Sequence, residues 1–263
     1  MIKTIEEALP VTWCEHFCFK RNNLYDLFKN KTVIDVGCGT GFFAHEIKKK
    51  AKNVVGLDIC KSNIDYANLM NKNKNILFIT KDIHKFHTNK SFDVIFCSEA
   101  IEHFKDKQKV LNLFNKLIKL DGILFLVVAA RPKHSMILLD VYKNFNKAYK
   151  NGAPEVHKGG LFISKNKLDA LVGKNGFIKI FSKRFRSPLV VIIDLILLWF
   201  ERKKRGDKYL ESFGDHTDWF KSPLIKFYII FLLPFVKFLA WIDRYFEFID
   251  NSAEIILYKK VKI

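Results

Sequence analysis

The sequence predicts an α/β protein in which helices cover both faces of a mainly parallel sheet. Short runs rich in β-branched residues alternate along the chain with segments whose apolar residues recur at helical spacing. This alternation is typical of parallel strands that are joined by helices. The first run, at 33–36, is followed by three glycines at alternate positions and by a helical pattern over 42–51. A strand, a glycine turn and a helix in this order are typical of a nucleotide-binding unit.

The glycine turn indicates which kind of nucleotide is bound. Glycines let the backbone approach a ligand closely, but a dinucleotide turn needs a glycine where this chain has Phe42. An acid near the turn can instead hold an ammonium group, and N–H groups of the turn and helix can hold a carboxylate. The pattern Asp-x-Gly-x-Gly-x-Gly resembles motif I of class I S-adenosylmethionine (SAM)-dependent methyltransferases. The resemblance implies that SAM is the cofactor and is contacted by Asp35, Gly37, Cys38, Gly39 and Gly41.

The second strand, predicted over 53–59, ends in an acid. At this spacing from the glycines, the carboxylate of Asp58 suits the two hydroxyl groups of a ribose. The family resemblance places the next residue, Ile59, on the adenine ring. An alternative is that Asp58 belongs to the N-cap region of the helix that begins near Ser62, and the sequence leaves both roles open.

The third strand, predicted over 76–80, is followed by another acid. The resemblance implies that Asp82 lies beside the adenine amino group and that Ile83 packs on the ring. Aspartate after a strand is also ordinary turn chemistry, so a purely local role for Asp82 is the alternative.

The segment after the fourth strand carries the most reactive groups. This strand, predicted over 92–98, resembles motif IV of the family, and Ser98 at its carboxyl end is expected beside the cofactor, where open α/β sheets place ligands. If a helical turn starts here, Glu99, Glu102 and His103 share one face. Two carboxylates and an imidazole on one face can chelate a divalent cation such as Mg²⁺.

The run Glu-x-x-Glu-His is similar to that of two branches of the superfamily, the O-methyltransferases of ubiquinone biosynthesis and the small-RNA 2′-O-methyltransferases. In both branches the resemblance implies a metal beside the acceptor hydroxyl, where it would lower the hydroxyl pKa. A metal-free alternative makes His103 a general base, which contributes about 10²–10⁴-fold to such a reaction. In a third alternative these residues only position the cofactor and the acceptor.

The segments that follow complete the resemblance. A turn and a fifth strand are predicted over 120–127 and resemble the family's Leu-x-Pro-Gly-Gly-x-Leu segment, from which Asp121 and Ile123 depart. A helix is predicted over 165–174, and the residues before it resemble a segment in which a histidine often faces the active site. His157 is therefore a second catalytic candidate, with a loop or capping histidine as the alternative.

The resemblance implies a Rossmann-like sheet of seven strands, with strand seven antiparallel. Residues 1–30 are predicted to form an N-terminal helical cap, and residues 31–183 with 252–263 the methyltransferase domain. Strands six and seven, near 177–182 and 253–261, would form a hairpin at the sheet edge. The hydrophobic helical insertion between them, 184–251, is far too long for a hairpin loop and is predicted to be a separate unit.

The insertion predicts contact with a membrane. Its first apolar helix is too short for a hydrocarbon core of about 30 Å, and its second, 224–242, contains lysines and the helix-kinking Pro234. Lys226, Lys237 and Arg244 fall on nearly one line along that helix. A basic stripe on an apolar helix favours an anchor that lies in the membrane interface. Paired spanning helices, and a lid or dimer face buried in protein, are the alternatives.

Charge and cysteine content agree with a cytosolic protein at a membrane surface. The net charge of +18 favours anionic lipid or nucleic acid as a partner. The five cysteines include no Cys-x-x-Cys pair, which argues against a disulfide framework or a zinc site. With no apolar N-terminal segment typical of a signal peptide, the sequence predicts peripheral association with the cytosolic face of a membrane.

These features together predict a SAM-dependent methyltransferase that modifies a hydroxyl group, or less readily a carbon or amine, on a small-molecule or lipid-linked acceptor. A quinone precursor or a lipid-linked sugar would fit. One alternative is an RNA 2′-O-methyltransferase, but the insertion offers apolar faces rather than stacking platforms in a basic groove, so nucleic acid is not expected as a partner. The other alternative is a non-catalytic membrane-associated scaffold with the same fold. The sequence leaves the oligomeric state open.

Overall fold

One mixed sheet organises the chain. In the computed structural model, its strands lie in the order β3-β2-β1-β4-β5-β7-β6, and only β7 runs antiparallel to its neighbours. This confirms the predicted Rossmann-like fold with an antiparallel strand seven. The strands are β1 Thr32–Val36, β2 Asn53–Asp58, β3 Ile76–Thr80, β4 Phe92–Ser98, β5 Ile118–Ala129, β6 Phe177–Phe185 and β7 Ala253–Lys260. The structure describes residues 10–129, 165–186, 231, 233–242, 245 and 253–262.

Six α-helices are described within these ranges. The helix predicted over 165–174 has the predicted bounds, and the one predicted over 42–51 ends three residues early, at Lys48. Short 3-10 turns at Leu24–Phe28, Ile83–Lys85 and Ile101–His103 link helices and strands. The helices are α1 Pro10–Arg21, α2 Phe42–Lys48, α3 Lys61–Met70, α4 Lys107–Leu117, α5 Lys165–Lys174 and α6 Leu233–Ile242.

The central strands are buried on both faces of the sheet, which explains why β1 and β4 read as mostly apolar runs. Successive side chains of a strand point to opposite faces, so Val33 packs with α1, α2 and α3 while Ile34 packs with α4 and α5. The first face is rich in aromatic rings, and the rings of Phe28 and Phe125 stack at 5.7 Å with an angle of 12° between their planes. This packing fixes where the carboxyl ends of β1, β2 and β4 lie.

The turn predicted before the fifth strand lies inside β5. The pairs Phe92–Ile118 and Val94–Ile123 define a register shift between β4 and β5, so the chain bulges between them. Asp121 has a left-handed backbone with φ of 60°, as expected of a turn residue. The turn chemistry was predicted correctly, but the flanking residues still pair with the sheet.

The described part of the insertion packs on the N-terminal helix. The Cys14 Sγ group lies 3.8 Å from the Ala240 carbonyl oxygen, and the Lys237 ammonium group sits 3.9 Å from the centre of the Trp13 ring. A cation over an indole face is attracted by the ring quadrupole. Lys237, one of the three residues of the predicted basic stripe, therefore places its charge against α1.

Two further expectations about the insertion concern its proline and the rest of its basic stripe. Pro234 is the second residue of α6 as described, and the residue two positions before it, Leu232, lies outside the described residues, so the predicted kink stays a prediction. Lys226, Arg244 and the first apolar segment lie outside the described residues, as does His157. Among the residues that the structure describes, no helix combines the length and apolar content needed to span a membrane.

Candidate active site

The glycine turn after β1 has the geometry that its sequence predicts. Gly37, Gly39 and Gly41 have φ angles of 80°, 54° and 95°, a region that side chains with a Cβ rarely adopt. The N–H groups of Gly37 and Cys38 donate to the Leu57 carbonyl oxygen at 2.7 and 3.1 Å, which ties the turn to the end of β2. Gly37 and Gly39 remain partly exposed, so a ligand can reach this backbone.

The turns after β1 and β4 lie side by side. A Cβ built on Gly37 would be only 2.5 Å from the Ala100 Cβ, so the two turns touch. Asp35, near the end of β1, is only 2% exposed and pairs in register with Phe96 of β4. Motif I and motif IV are therefore neighbours at the carboxyl edge of the sheet, where open α/β sheets bind ligands.

Asp58 braces the glycine turn from the neighbouring strand. Its Oδ2 atom accepts from the Gly39 N–H group at 2.9 Å, and its Oδ1 atom accepts from the Cys60 N–H group at 2.8 Å. Burial raises the pKa of Asp58 above its ordinary value, while these backbone hydrogen bonds oppose the shift. Cys60 is the N-cap residue of α3, so the capping alternative is part of what Asp58 does. A carboxylate has further acceptor sites, so the ribose contact stays a prediction.

The residues predicted to surround adenine differ in exposure. Ile59 is 53% exposed beside Asp58, while Ile83 is buried within the core below the sheet edge. Asp82 accepts from the His84 N–H group at 2.9 Å, and its Oδ1 atom lies 2.9 Å from the His84 Nδ1 atom. Burial raises the pKa of Asp82, but the hydrogen bonds and charge of His84 outweigh it and lower the value. The local turn role of Asp82 is thus observed, and its adenine contact stays a prediction.

The predicted shared face of Glu99, Glu102 and His103 is wrong. Glu99 has a left-handed backbone with φ of 47° and precedes the 3-10 turn, so the spacing that a helical turn gives does not apply. Its Oε1 atom is 2.5 Å from the Arg186 Nη1 atom, while Glu102 is only 3% exposed. No three His, Cys, Asp or Glu side chains in the described ranges form a group that could hold a metal.

Two residues that sequence reasoning missed lie in this site. Glu15 of α1 is 2% exposed, and its Oε1 atom accepts from the Ser98 hydroxyl at 2.7 Å. Arg186 follows β6 and is 5% exposed. A single acid inside the aromatic run of α1 was a signal for Glu15. Nothing in the sequence near Arg186 indicated its partner Glu99, which lies 87 positions away.

The site therefore combines backbone donors, two strand-end carboxylates and a partly buried ion pair at one edge of an α/β sheet. A sequence model of the methyltransferase domain family matches residues 27–176, which is more than half of the chain. The chain belongs to this family, and the resemblance to class I SAM-dependent methyltransferases is confirmed. The open backbone at Gly37 and Gly39, with the Asp58 carboxylate beside it, fits the methionyl and ribose parts of SAM.

Individual relatives agree with this assignment. The chain is 32% identical over 127 residues to a ubiquinone biosynthesis O-methyltransferase of Rickettsia canadensis, covering 47% of this chain and 53% of that protein. The chain thus spans about half the length of the curated relatives it matches. A Galdieria sulphuraria protein assigned as a sarcosine dimethylglycine methyltransferase has a TM-score of 0.60 at 15% identity, covering 96% of this chain and 86% of that chain.

A third relative is a solved structure with the cofactor bound. The phosphoethanolamine N-methyltransferase 2 of Haemonchus contortus, in complex with SAM, has a TM-score of 0.55 at 16% identity, covering 92% of this chain and 53% of that chain. At such identities the likeness extends to the fold alone. The fold is therefore shared by proteins named for O- and for N-methylation, and it does not decide the acceptor atom.

Proposed function

We propose that the protein transfers the methyl group of SAM to a hydroxyl of a lipid-like acceptor at a membrane surface, such as a quinone precursor. The observation that carries the proposal is the match of the cofactor-binding half to ubiquinone biosynthesis O-methyltransferases. A hydroxyl is favoured over carbon or amine by the names of those relatives. The aromatic surface of α6 supports an acceptor that resides in a bilayer.

The bound cofactor supplies a methyl group that is already activated by its sulfonium. The chain then has to hold the cofactor, align the acceptor and remove one proton. The glycine turn and Asp58 hold the methionyl and ribose parts. His103 ends the 3-10 turn at the carboxyl edge of β4 and is partly exposed. In this proposal His103 accepts the hydroxyl proton of the acceptor, while Glu99, which is ion-paired with Arg186, shapes the pocket.

Helix α6 presents an aromatic surface away from α1. Leu233 and Ala240 are buried, whereas Phe235, Phe238 and Trp241 are 58%, 53% and 43% exposed. The Phe238 and Trp241 rings stack at 6.1 Å. Exposed aromatic rings on one side of a helix suit the boundary between lipid headgroups and acyl chains. The net charge of +18 adds attraction to anionic lipids.

Replacing Phe235, Phe238 and Trp241 together by serine should weaken binding to vesicles that contain anionic phospholipid. Burying half of a phenylalanine side chain contributes about 1 kcal/mol, so the three changes together should lower the partition coefficient on the order of a hundredfold. Sedimentation with vesicles measures the effect. Serine at Leu69 of α3 and Leu77 of the edge strand β3, both exposed and apolar, is the control and should leave binding unchanged. Equal losses for both variants would refute a specific role for α6.

The reaction itself is tested with labelled SAM and a total lipid extract. We expect the label to enter a lipid-soluble product that carries a new methoxy group, and His103→Gln to slow its formation about 10²-fold or more. A parallel incubation with total RNA in place of the lipid extract tests the 2′-O-methyltransferase alternative, which label in the RNA would favour. Absence of both SAM binding and product would favour the non-catalytic scaffold.

A further inference from the structure

Helix α1 contributes a buried carboxyl group to the cofactor edge of the sheet. The Ser98 hydroxyl donates to Glu15 Oε1 at 2.7 Å, and Glu15 is almost completely buried. Ser98 ends β4, so the hydrogen bond joins α1 directly to motif IV. Glu15 lies outside the glycine turn and outside the motifs that match the family pattern.

Three elements bring charged groups towards Glu15: Asp35 from β1, Glu99 from the turn after β4, and Arg186 from the end of β6. Arg186 forms an ion pair with Glu99 at 2.5 Å. Among the described residues, Glu15 thus lies in a cluster of three carboxyl groups and a guanidinium. Burial, followed by the charge of Glu99, raises the pKa of Glu15 to about 8, so this group is mostly protonated at neutral pH.

The cluster of Glu15, Asp35, Glu99 and Arg186 lies where the methionyl end of SAM is expected. Asp35 and Ser98 flank the turn at Gly37, whose position is fixed against Ala100 of the next turn. SAM carries a sulfonium and an ammonium group at its methionyl end. A cation placed here favours the charged form of each nearby carboxyl group.

We propose that Glu15 binds the cofactor, and that its carboxylate pairs with the cationic methionyl end of SAM and thereby fixes α1 over the site. This inference rests on the proposed SAM-dependent function. On binding, the O–H bond of the Glu15 carboxyl group breaks, the electron pair stays on oxygen, and the proton passes to the buffer. S-adenosylhomocysteine lacks the sulfonium charge, so its binding should favour the ionised form of Glu15 less than the binding of SAM does.

Calorimetric titration in two buffers of different ionisation enthalpy measures the protons that SAM binding releases. At pH 7 we expect the native protein to release up to one proton more than Glu15→Gln. SAM affinity of the native protein should rise by up to tenfold per pH unit below pH 8, relative to the variant. The amino group of SAM also titrates in this range, but both proteins bind the same ligand, so the difference isolates Glu15. With S-adenosylhomocysteine, the difference in proton release between the native protein and Glu15→Gln should be smaller.

A second measurement needs no variant. Infrared difference spectroscopy of the native protein should show a protonated carboxyl band that disappears when SAM is added.

Glutamine at position 15 keeps the acceptor oxygen for Ser98, so the Glu15→Gln variant should stay folded. It should melt at a higher temperature than the native protein at pH 8. Equal proton release by native and variant proteins that both bind SAM would overturn the role of Glu15 and leave the proposed function standing. Failure of the native protein to bind SAM would overturn both.

Discussion

Valine at Gly37 should abolish measurable SAM binding while most of the sheet remains folded. The position has φ of 80°, and a Cβ would lie 2.5 Å from the Ala100 Cβ. A β-branched residue in left-handed backbone costs about 1–3 kcal/mol, and overpacking costs about as much again. The chain relieves both by moving the turn, which is also the surface that receives the cofactor. We expect SAM affinity to fall on the order of a hundredfold or more, since each 1.4 kcal/mol is about tenfold.

Gly173→Ala is the matched control for a glycine substitution. A Cβ there meets no atom within 4 Å, and the residue lies on the surface of α5. Alanine should stabilise that helix by up to about 1 kcal/mol and leave SAM affinity unchanged. Isothermal titration and thermal unfolding of both variants separate the two effects. If Gly37→Val bound SAM like the native protein, the glycine turn could not be the cofactor seat.

Asparagine at Asp58 should weaken SAM and S-adenosylhomocysteine to a similar extent. The two carboxylate oxygens accept from the Gly39 and Cys60 N–H groups, so an amide must turn its NH₂ group towards one of these donors. Hydrogen bonds to a charged group contribute about 1.5–3 kcal/mol, and the predicted contact with the ribose hydroxyls would lose the same carboxylate. Titration calorimetry should therefore find affinities about tenfold to hundredfold lower for both ligands.

Asp65→Asn is the control for this change of charge. Asp65 is exposed on α3, where it pairs with Lys61 four positions earlier, and such pairs contribute little. It should leave both affinities within experimental error. An Asp58→Asn protein that lost SAM but kept S-adenosylhomocysteine would contradict a ribose role, because both ligands carry the same ribose. The equal loss also separates Asp58 from Glu15, for which the two ligands should differ.

Local patterns predicted the sheet because its central strands are buried on both faces. The runs at β1 and β4 are mostly apolar, and the positive φ angles of the glycine turn can be read from the glycines themselves. The error in β5 has the same local origin. Asp121 has the left-handed backbone of a turn, but strand pairing on both sides overrides the turn.

The site was predicted less completely because its charged groups come from distant segments. The geometry after β4 depended on one backbone angle, the φ of Glu99, and sequence spacing assumed a helix there. The partner of Glu99 and the partner of Ser98 lie 87 and 83 positions away. No local pattern encodes such pairs, since they follow from how α1 and the end of β6 pack over the sheet.

The stacking of α6 on α1, and of α1 on the sheet edge, sets how far an acceptor would have to travel. A helix is about 10 Å across, so two helix diameters, roughly 20 Å, separate the aromatic surface from the carboxyl ends of the central strands. If α6 rests on lipid as proposed, an acceptor with a long tail can cover that distance without leaving its bilayer. Its headgroup would reach the methyl donor while the end of its tail stays among the acyl chains.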